Sequence, residues 1–105
     1  MKTIITATDK KLSAPFDLRF GRAAWFCLYD HETKKATFHE NFHVDDGHGA
    51  GQKAAEFAFE LGAGRVISGD FGPKAKDILD RLKIQMVIID NDNQSVEEVI
   101  NKLKD

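Results

Sequence analysis

Four side chains of types that bind zinc, iron or manganese lie within one six-residue segment. They are His43, Asp45, Asp46 and His48, in the sequence HVDDGHGAG. Imidazole and carboxylate groups are ordinary ligands of these metals, but the spacing matches no established metal-binding motif. A polar edge strand that runs into a solvated turn contains the same residue types. The segment is therefore a candidate mononuclear metal site, with a plain turn as the alternative.

His48 is the strongest single candidate ligand in this segment. It comes directly before Gly49 and Gly51, where the sequence predicts the start of a helix. Backbone N–H groups at a helix start can hold an anion, and a neighbouring imidazole can donate to that anion or ligate its metal. The alternative is a histidine near the helix start whose neighbouring glycines only relieve backbone strain.

Two arginines in the first long loop can bind an anion. Arg19 and Arg22 lie on either side of Gly21 in the sequence DLRFGRA. Two guanidinium groups at this spacing can clamp a negatively charged ligand. An ion pair between Arg19 and Asp17 that orders the loop is the alternative.

The turn GDFGPKA offers a second backbone site for an anion. Gly69 and Gly72 flank the connection between a predicted strand and a predicted helix. Backbone N–H groups and the helix dipole can hold negative charge at such a turn. A tight strand-to-helix connection alone also explains the two glycines.

Three aspartates, Asp9, Asp70 and Asp90, follow predicted strands. Carboxylates grouped at one sheet edge can hold two Mg²⁺ ions for phosphodiester hydrolysis. Aspartate at a strand end is also common turn chemistry, and a nuclease without a basic surface is unusual. A divalent-metal-dependent hydrolase or nuclease that uses these three carboxylates is therefore the alternative function.

The elements that position these residues follow a mixed α/β pattern. β-branched or alternating apolar residues predict strands at 2–8, 23–30, 35–43, 65–69 and 85–90. Apolar residues at helical spacing predict three helices. The first begins at the HGAG loop, the second has Pro73 as its first residue, and the third starts at a capping box of Ser95 and Glu98.

The resulting order β-β-β-α-β-α-β-α predicts an α/β fold with one mixed five-stranded sheet. Right-handed crossovers give the strand order 3-2-1-4-5, with strand 2 antiparallel and helices on both faces. This is the strand order of ribonuclease-H-like nucleases. The loops after strands 1, 3, 4 and 5 then lie at one edge, where open α/β sheets bind ligands. We therefore expect the candidate residues to converge there.

Size and composition limit the classes of function. The chain has 105 residues, 42% of them hydrophobic and 30% charged, which predicts a single compact domain over 1–105. A formal net charge of -2 disfavours nucleic acid as a partner. The single Cys27, mid-strand among apolar residues, is predicted to lie in the core; one cysteine cannot supply the four thiolates of an ordinary iron–sulfur cluster. No membrane-spanning or secretory segment is evident, so a cytoplasmic location without a membrane partner is expected.

Three short motifs are the most specific features of the chain. They are RFGRA after the first strand, HGAG at the first helix and the G-x-x-G-P turn after the fourth strand. With AAWFCLYD, VISGDFGPKAKDIL and SVEEVINKL, they make nearly the whole chain similar to the dinitrogenase iron-molybdenum cofactor-binding family of small NifX- and NafY-like proteins. The residues His43, Asp45 and Asp46 do not map onto the family's motifs.

The resemblance implies a ribonuclease-H-like fold without nuclease activity. It also implies non-enzymatic binding, storage or delivery of a preformed metal–sulfur cluster, such as the iron-molybdenum cofactor or its precursor. A cluster that arrives assembled needs few protein thiolates, so a single cysteine is compatible with this role. Cofactor donor and acceptor proteins are then the expected partners, and we expect a monomer or a weak dimer.

By the same resemblance, the loop histidine that maps to His48 is the candidate cluster ligand. The chemistry of the other candidate residues suits them to the same cluster. Arg19 and Arg22 would offset the negative charge of the cluster. Close approach of the backbone to the cluster would be allowed by four glycines, Gly49, Gly51, Gly69 and Gly72.

Overall fold

The computed structural model describes residues 1–42 and 49–103. The described residues form five strands and three helices in the predicted order. The strands are β1 (Lys2–Ala7), β2 (Trp25–Asp30), β3 (Lys35–Glu40), β4 (Arg65–Ser68) and β5 (Gln85–Ile88). The helices are α1 (Ala50–Glu60), α2 (Pro73–Arg81) and α3 (Val96–Leu103).

The strands form one mixed sheet in the order β3-β2-β1-β4-β5. β2 is antiparallel to both β1 and β3, whereas β1, β4 and β5 run parallel to one another. The predicted fold class and strand order are therefore confirmed. Because three parallel strands end at the same edge, the loops that follow them meet there, and we call this edge the site edge.

Helices cover both faces of the sheet because β1 sends successive side chains to opposite faces. Ile4 belongs to the apolar cluster under α1 and α2, and Ile5 belongs to the cluster under α3. Both isoleucine side chains are fully buried. The prediction that Cys27 is a core residue is confirmed, since it is buried in the cluster under α3.

An aromatic stack connects the α1 face of the sheet to the site edge. The ring of Phe26 lies 5.5 Å from Phe20 and 5.8 Å from Phe57, and Phe20 lies 5.2 Å from Phe71. Offset aromatic pairs at these distances add to the stability that burial alone provides. Phe20 and Phe71 belong to two loops of the site edge, so the stack fixes both loops against the core.

The first long loop is bound to the sheet along its length. Phe16 pairs with Ala7 as an isolated bridge, and its N–H donates to the carbonyl oxygen of Gln94 at 2.9 Å. The buried hydroxyl of Thr6 contacts both the carbonyl oxygen of Asp17 and the hydroxyl of Ser68. The loop is therefore a rigid wall beside the ends of β1 and β4.

Two predicted helix starts are confirmed, whereas all five strands are shorter than the predicted segments. Pro73 is the first residue of α2. Ser95 and Glu98 exchange side-chain-to-backbone hydrogen bonds of 3.0 and 3.1 Å, as a capping box requires. β3 ends at Glu40, and the buried side-chain amide of the next residue, Asn41, donates to the carbonyl oxygens of Gly21 and Ala23.

Candidate functional site

Three segments of the site edge enclose a cavity of about 390 Å³, which we call the loop pocket. They are residues 19–22 of the first loop, 49–52 at the start of α1, and 70–75 across the turn into α2. The sequence prediction named six residues for backbone or charge contacts here. Five of them line the loop pocket, namely Arg19, Arg22, Gly49, Gly51 and Gly72.

The sixth residue, Gly69, lies behind the wall of the loop pocket. A Cβ atom on Gly69 would be 2.8 Å from both Cβ and the carbonyl oxygen of Leu18. The N–H of Gly69 donates to that same carbonyl oxygen at 3.0 Å, and Phe20 N–H donates to the carbonyl oxygen of Asp70. Gly69 therefore allows the first loop to pack against the end of β4, and it is not among the lining residues.

Both helices that open into the loop pocket start without a side-chain cap. Gly49 and Gly72 are their N-cap residues, with φ of 78° and 73°, a left-handed conformation that favours glycine. Neither α1 nor α2 has an acidic residue in its first turn. The positive ends of the two helix dipoles are consequently not offset by acidic side chains within those turns.

A contact between two glycines sets the width of the loop pocket. A Cβ atom on Gly21 would lie 2.9 Å from Cα of Gly51, closer than real Cβ atoms approach backbone. The first loop thus packs directly on the first turn of α1. The sequence analysis treated Gly21 only as a spacer between two arginines, so its packing role was missed.

Arg19 is held by Asp17, as the ion-pair alternative proposed. The Asp17 carboxylate accepts the backbone N–H of Arg19 at 2.9 Å and its Nε and Nη2 groups at 3.2 Å. The Asp17 side chain is only 6% exposed, whereas that of Arg19 is 67% exposed. Hydrogen bonding to Asp17, followed by its charge, raises the pKa of Arg19. Asp17 therefore orients Arg19 and offsets part of its charge.

Lys74 is a third cation of the loop pocket, beside Arg19 and Arg22, and it is not among the residues predicted from the sequence. It lies in the first turn of α2 and lines the cavity together with the aromatic residues Phe20 and Phe71. A lysine in the first turn opposes the helix dipole, so the position costs stability unless negative charge binds nearby. The sequence G-P-K predicts a lysine in the first turn of a helix, and this unfavourable placement is the signal by which Lys74 could have been identified.

The three aspartates of the hydrolase alternative do not form a metal site. All three are exposed, and no group of three or more metal-binding side chains occurs within residues 1–42 and 49–103. Asp9 and Asp70 instead accept backbone N–H groups from Lys10 and Gly72 in their own turns. The common turn chemistry of aspartate explains Asp9 and Asp70.

The remaining metal candidates divide into two groups. His43, Asp45, Asp46 and His48 lie outside the described residues. Burial raises the pKa of the Cys27 thiol to about 12, which keeps it protonated at neutral pH. Cys27 is also fully buried, so it presents no thiolate to the loop pocket.

Comparison with known protein families shows the family to which the chain belongs. The family described as "Dinitrogenase iron-molybdenum cofactor" matches residues 1–105. The chain belongs to this family. Its members bind the iron-molybdenum cofactor or related clusters, so the predicted resemblance is confirmed. No protein among the curated sequences matches the chain significantly.

Solved structures agree with membership in the dinitrogenase iron-molybdenum cofactor family. The apo form of the orange protein from Desulfovibrio gigas is 32% identical, with a TM-score of 0.91 over 97% of this chain and 85% of that one. A putative NifB protein from Thermotoga, solved by NMR, is 26% identical, with a TM-score of 0.84 and the same two coverages. None of the described helices is long and apolar enough to span a membrane.

Proposed function

We propose that residues 1–105 form a single non-enzymatic carrier domain that binds, stores or delivers a preformed metal–sulfur cluster in the loop pocket. The cargo is the iron-molybdenum cofactor, its precursor or a related cluster. The observation that carries the proposal is the meeting of two helix N-termini that lack side-chain caps with basic side chains around one cavity of about 390 Å³. Such a cavity favours a bulky anion.

The chemistry of the wall supports an assembled cluster as the cargo. The described residues contain no ligand group from which the protein could build a cluster of its own, and Cys27 stays protonated. Backbone N–H groups and cations can instead hold the sulfide surface of a cluster that arrives complete. Partners that donate and accept the cluster in the cytoplasm follow from this role.

Each proposed residue acts through a distinct contact. Arg22 and Lys74 offset the charge of the cluster, and Arg19 does so in the orientation that Asp17 imposes. His48 supplies one imidazole ligand to a metal of the cluster. The backbone approaches the cluster at Gly49, Gly51 and Gly72, while Gly69 supports the wall behind them.

An anaerobic titration tests the proposed function. Apo-protein is titrated with isolated iron-molybdenum cofactor and, separately, with tetrathiomolybdate, and binding is followed by visible absorbance. We expect saturable binding of at least one probe that weakens as salt concentration rises, because charge offset contributes to the affinity. Failure of the wild-type protein to bind either probe would contradict the proposal.

Substitutions test the site separately from the function. His48→Ala is expected to weaken binding and change the visible spectrum of the bound cluster, whereas His39→Ala on β3 is the matched control. Arg22→Ala is expected to weaken binding without changing the spectrum. Equal binding and identical spectra for His48→Ala and the wild type would remove His48 from the site while leaving the carrier role intact.

A further inference from the structure

A second, larger cavity of about 750 Å³ lies between α1 and α2. We call it the helix groove. Phe59, Ile78 and Leu82 give it an apolar lining, and Phe59 is 55% exposed despite its size. The other six lining residues are polar or charged. An exposed aromatic side chain surrounded by polar residues is typical of a protein–protein contact, in which an apolar centre has a polar rim.

The two helices present matching stripes to the helix groove. From α1 the stripe contains residues at i, i+4, i+7 and i+8, which are Gln52, Glu56, Phe59 and Glu60. From α2 the same spacing gives Lys74, Ile78, Arg81 and Leu82. Residues at this spacing share one face of a helix. Two neighbouring helices with such stripes form half of a four-helix packing arrangement.

The charges of the two stripes are opposite in sign. The α1 stripe carries Glu56 and Glu60, and neither has a hydrogen bond or ion pair within the described part of the chain. On the α2 side, Lys74 is also without such a partner there, and Arg81 pairs with Asp77, which lines the helix groove as well. The α2 side therefore has two cations and one carboxylate, a net charge of +1, against two carboxylates on the α1 side. A surface with an acidic side and a basic side is complementary to itself under a two-fold rotation.

The levels of these charges along the helices select one orientation of the two-fold axis. Gly51 lies beside Ala75, with 3.5 Å from a Cβ built on Gly51 to Cβ of Ala75, so α1 and α2 start at the same level. A helix rises by about 1.5 Å per residue, so distances along each helix can be counted from its first residue. On this scale Glu56 and Glu60 lie about 9 Å and about 15 Å along α1. Arg81 lies about 12 Å along α2, at a level between those two carboxylates.

An axis parallel to the helices places α1 of one copy on α2 of the other at matching levels. Arg81 of the second copy then lies between Glu56 and Glu60. An in-plane axis perpendicular to the helices would instead place α1 against α1, with carboxylates facing carboxylates. We infer that the helix groove is the interface of a homodimer whose two-fold axis runs parallel to α1 and α2, with Phe59 as its aromatic contact.

This dimer brings the two loop pockets together. Gln52 and Lys74 line both the helix groove and the loop pocket, so the interface begins where the loop pocket ends. With the axis parallel to the helices, both loop pockets lie at the same end of the dimer, side by side. The inference rests on the helix groove alone and does not depend on the proposed cargo.

Sedimentation velocity over a range of protein concentrations tests the interface. We expect a reversible dimer of the 11.8 kDa chain. Phe59→Ala should raise the dissociation constant by roughly tenfold or more, the loss expected for an aromatic side chain that becomes buried in an interface. Ile88→Ala, which truncates another exposed apolar residue on β5, should leave the dissociation constant unchanged. A chain that stays monomeric at every concentration would overturn the inference.

A charge-reversal experiment tests the orientation. One variant combines Glu56→Lys with Glu60→Lys, and a second combines Lys74→Glu with Arg81→Glu. Each should remain monomeric alone, and an equimolar mixture should form a heterodimer because opposite charges again face each other. Asp80→Lys, on α2 outside the helix groove, is the control for a changed net charge, and circular dichroism verifies that each variant is folded. A mixture without heterodimer, or a wild-type dimer unaffected by Phe59→Ala, would overturn the assignment.

Discussion

The two ends of the sheet satisfy their polar groups in different ways. At the end opposite the site edge, which we call the far edge, Thr3, His31 and Arg65 bond to one another. The Thr3 hydroxyl lies 2.7 Å from His31 Nε2, and Arg65 reaches both the hydroxyl at 3.1 Å and the imidazole at 3.2 Å. The ring of Tyr29 packs edge-on against His31 at 4.9 Å. The far edge is therefore closed by its own side chains.

At the site edge Asp17 bonds to Arg19 and Asp70 accepts the N–H of Gly72, but other polar groups there are left without such closure. Two helices start there on glycines without a side-chain cap, and Lys74 stands in the first turn of α2 without a bonded partner among the described residues. Polar groups that form hydrogen bonds within the protein contribute to its stability, whereas polar groups without an internal partner are available to bind a ligand. The difference separates the structural end of the molecule from the proposed binding end.

Adding a side chain at Gly21 should have the largest effect on the difference between the two edges. Gly21→Ala places a Cβ atom against the backbone of Gly51, so the first loop must move away from α1. We expect a loss of about 2–3 kcal/mol in the free energy of unfolding, typical of overpacking against backbone. Urea denaturation measures it.

Gly64→Ala is the matched control for that substitution at the far edge. The added Cβ meets only the flexible side chain of Met1, at 3.2 Å. A change of less than about 0.5 kcal/mol is expected, as for most substitutions without a rigid neighbour. Equal losses at Gly21 and Gly64 would refute the proposed rigidity of the contact between the first loop and α1.

Releasing Arg19 should move stability and anion affinity in opposite directions. Asp17→Asn weakens the contacts that hold Arg19 and removes the charge that offsets it. After allowance for the exposure of Arg19, we expect a loss of about 1–2 kcal/mol in stability. Affinity for tetrathiomolybdate should rise, because an uncompensated guanidinium then faces the loop pocket. Asp9→Asn is the control, and a fall in both quantities would mean that Asp17 acts only through the fold.

The far edge should make stability depend on pH. Burial, followed by the charges of Arg65 and the N-terminus, lowers the pKa of His31. The unfolded state then binds the proton more readily, so this contribution to stability is present above the ordinary histidine pKa of about 6.5 and is lost as pH falls through the lower folded pKa.

His31→Gln is expected to remove that part of the pH dependence and to cost about 1 kcal/mol at neutral pH, since its hydrogen bonds to Thr3 and Arg65 are disturbed. Thermal unfolding measured at a series of pH values checks both effects. His39→Gln on the edge strand β3 is the matched control. An unchanged pH profile in His31→Gln would show that the far edge is not the source.

The smallest expected effect lies at Lys74. Lys74→Ala removes a cation that opposes the dipole of α2, so apo-protein stability should rise by about 0.3–0.5 kcal/mol. Affinity for tetrathiomolybdate should fall, and its salt dependence should become weaker. Lys76→Ala, outside the loop pocket on the same helix, should change neither quantity in this way. A loss of stability in Lys74→Ala would indicate a structural role instead.

Features set by neighbours in the chain could be predicted from the sequence. The capping box at Ser95 and Glu98 and the helix start at Pro73 depend on local spacing, and both were correct. The strand order followed from β-branched segments and from the handedness of crossovers. The convergence of Arg19, Arg22 and three glycines on one cavity then followed from that order.

Features set by distances between remote residues could not be predicted in this way. The packing of Gly21 on Gly51 and of Gly69 on Leu18 depends on how closely two loops approach, which no local pattern records. The end of β3 was placed too late, and Asn41, the residue after it, bonds to carbonyl groups some twenty positions away. Local spacing also left open whether Arg19 pairs with Asp17, and the geometry shows that it does.

The buried Cys27 also bears on how a bound cluster would be released under the proposed function. A thiol held at a pKa of about 12 inside the sheet is neither exposed nor ionised at neutral pH, so it is not available to attack a disulfide or to bind a metal. Among the proposed contacts to the cluster, the imidazole of His48 is the one bond to a metal, and the others depend on charge and shape. Exchange of that single ligand would therefore free the cluster, with no cysteine bond to break.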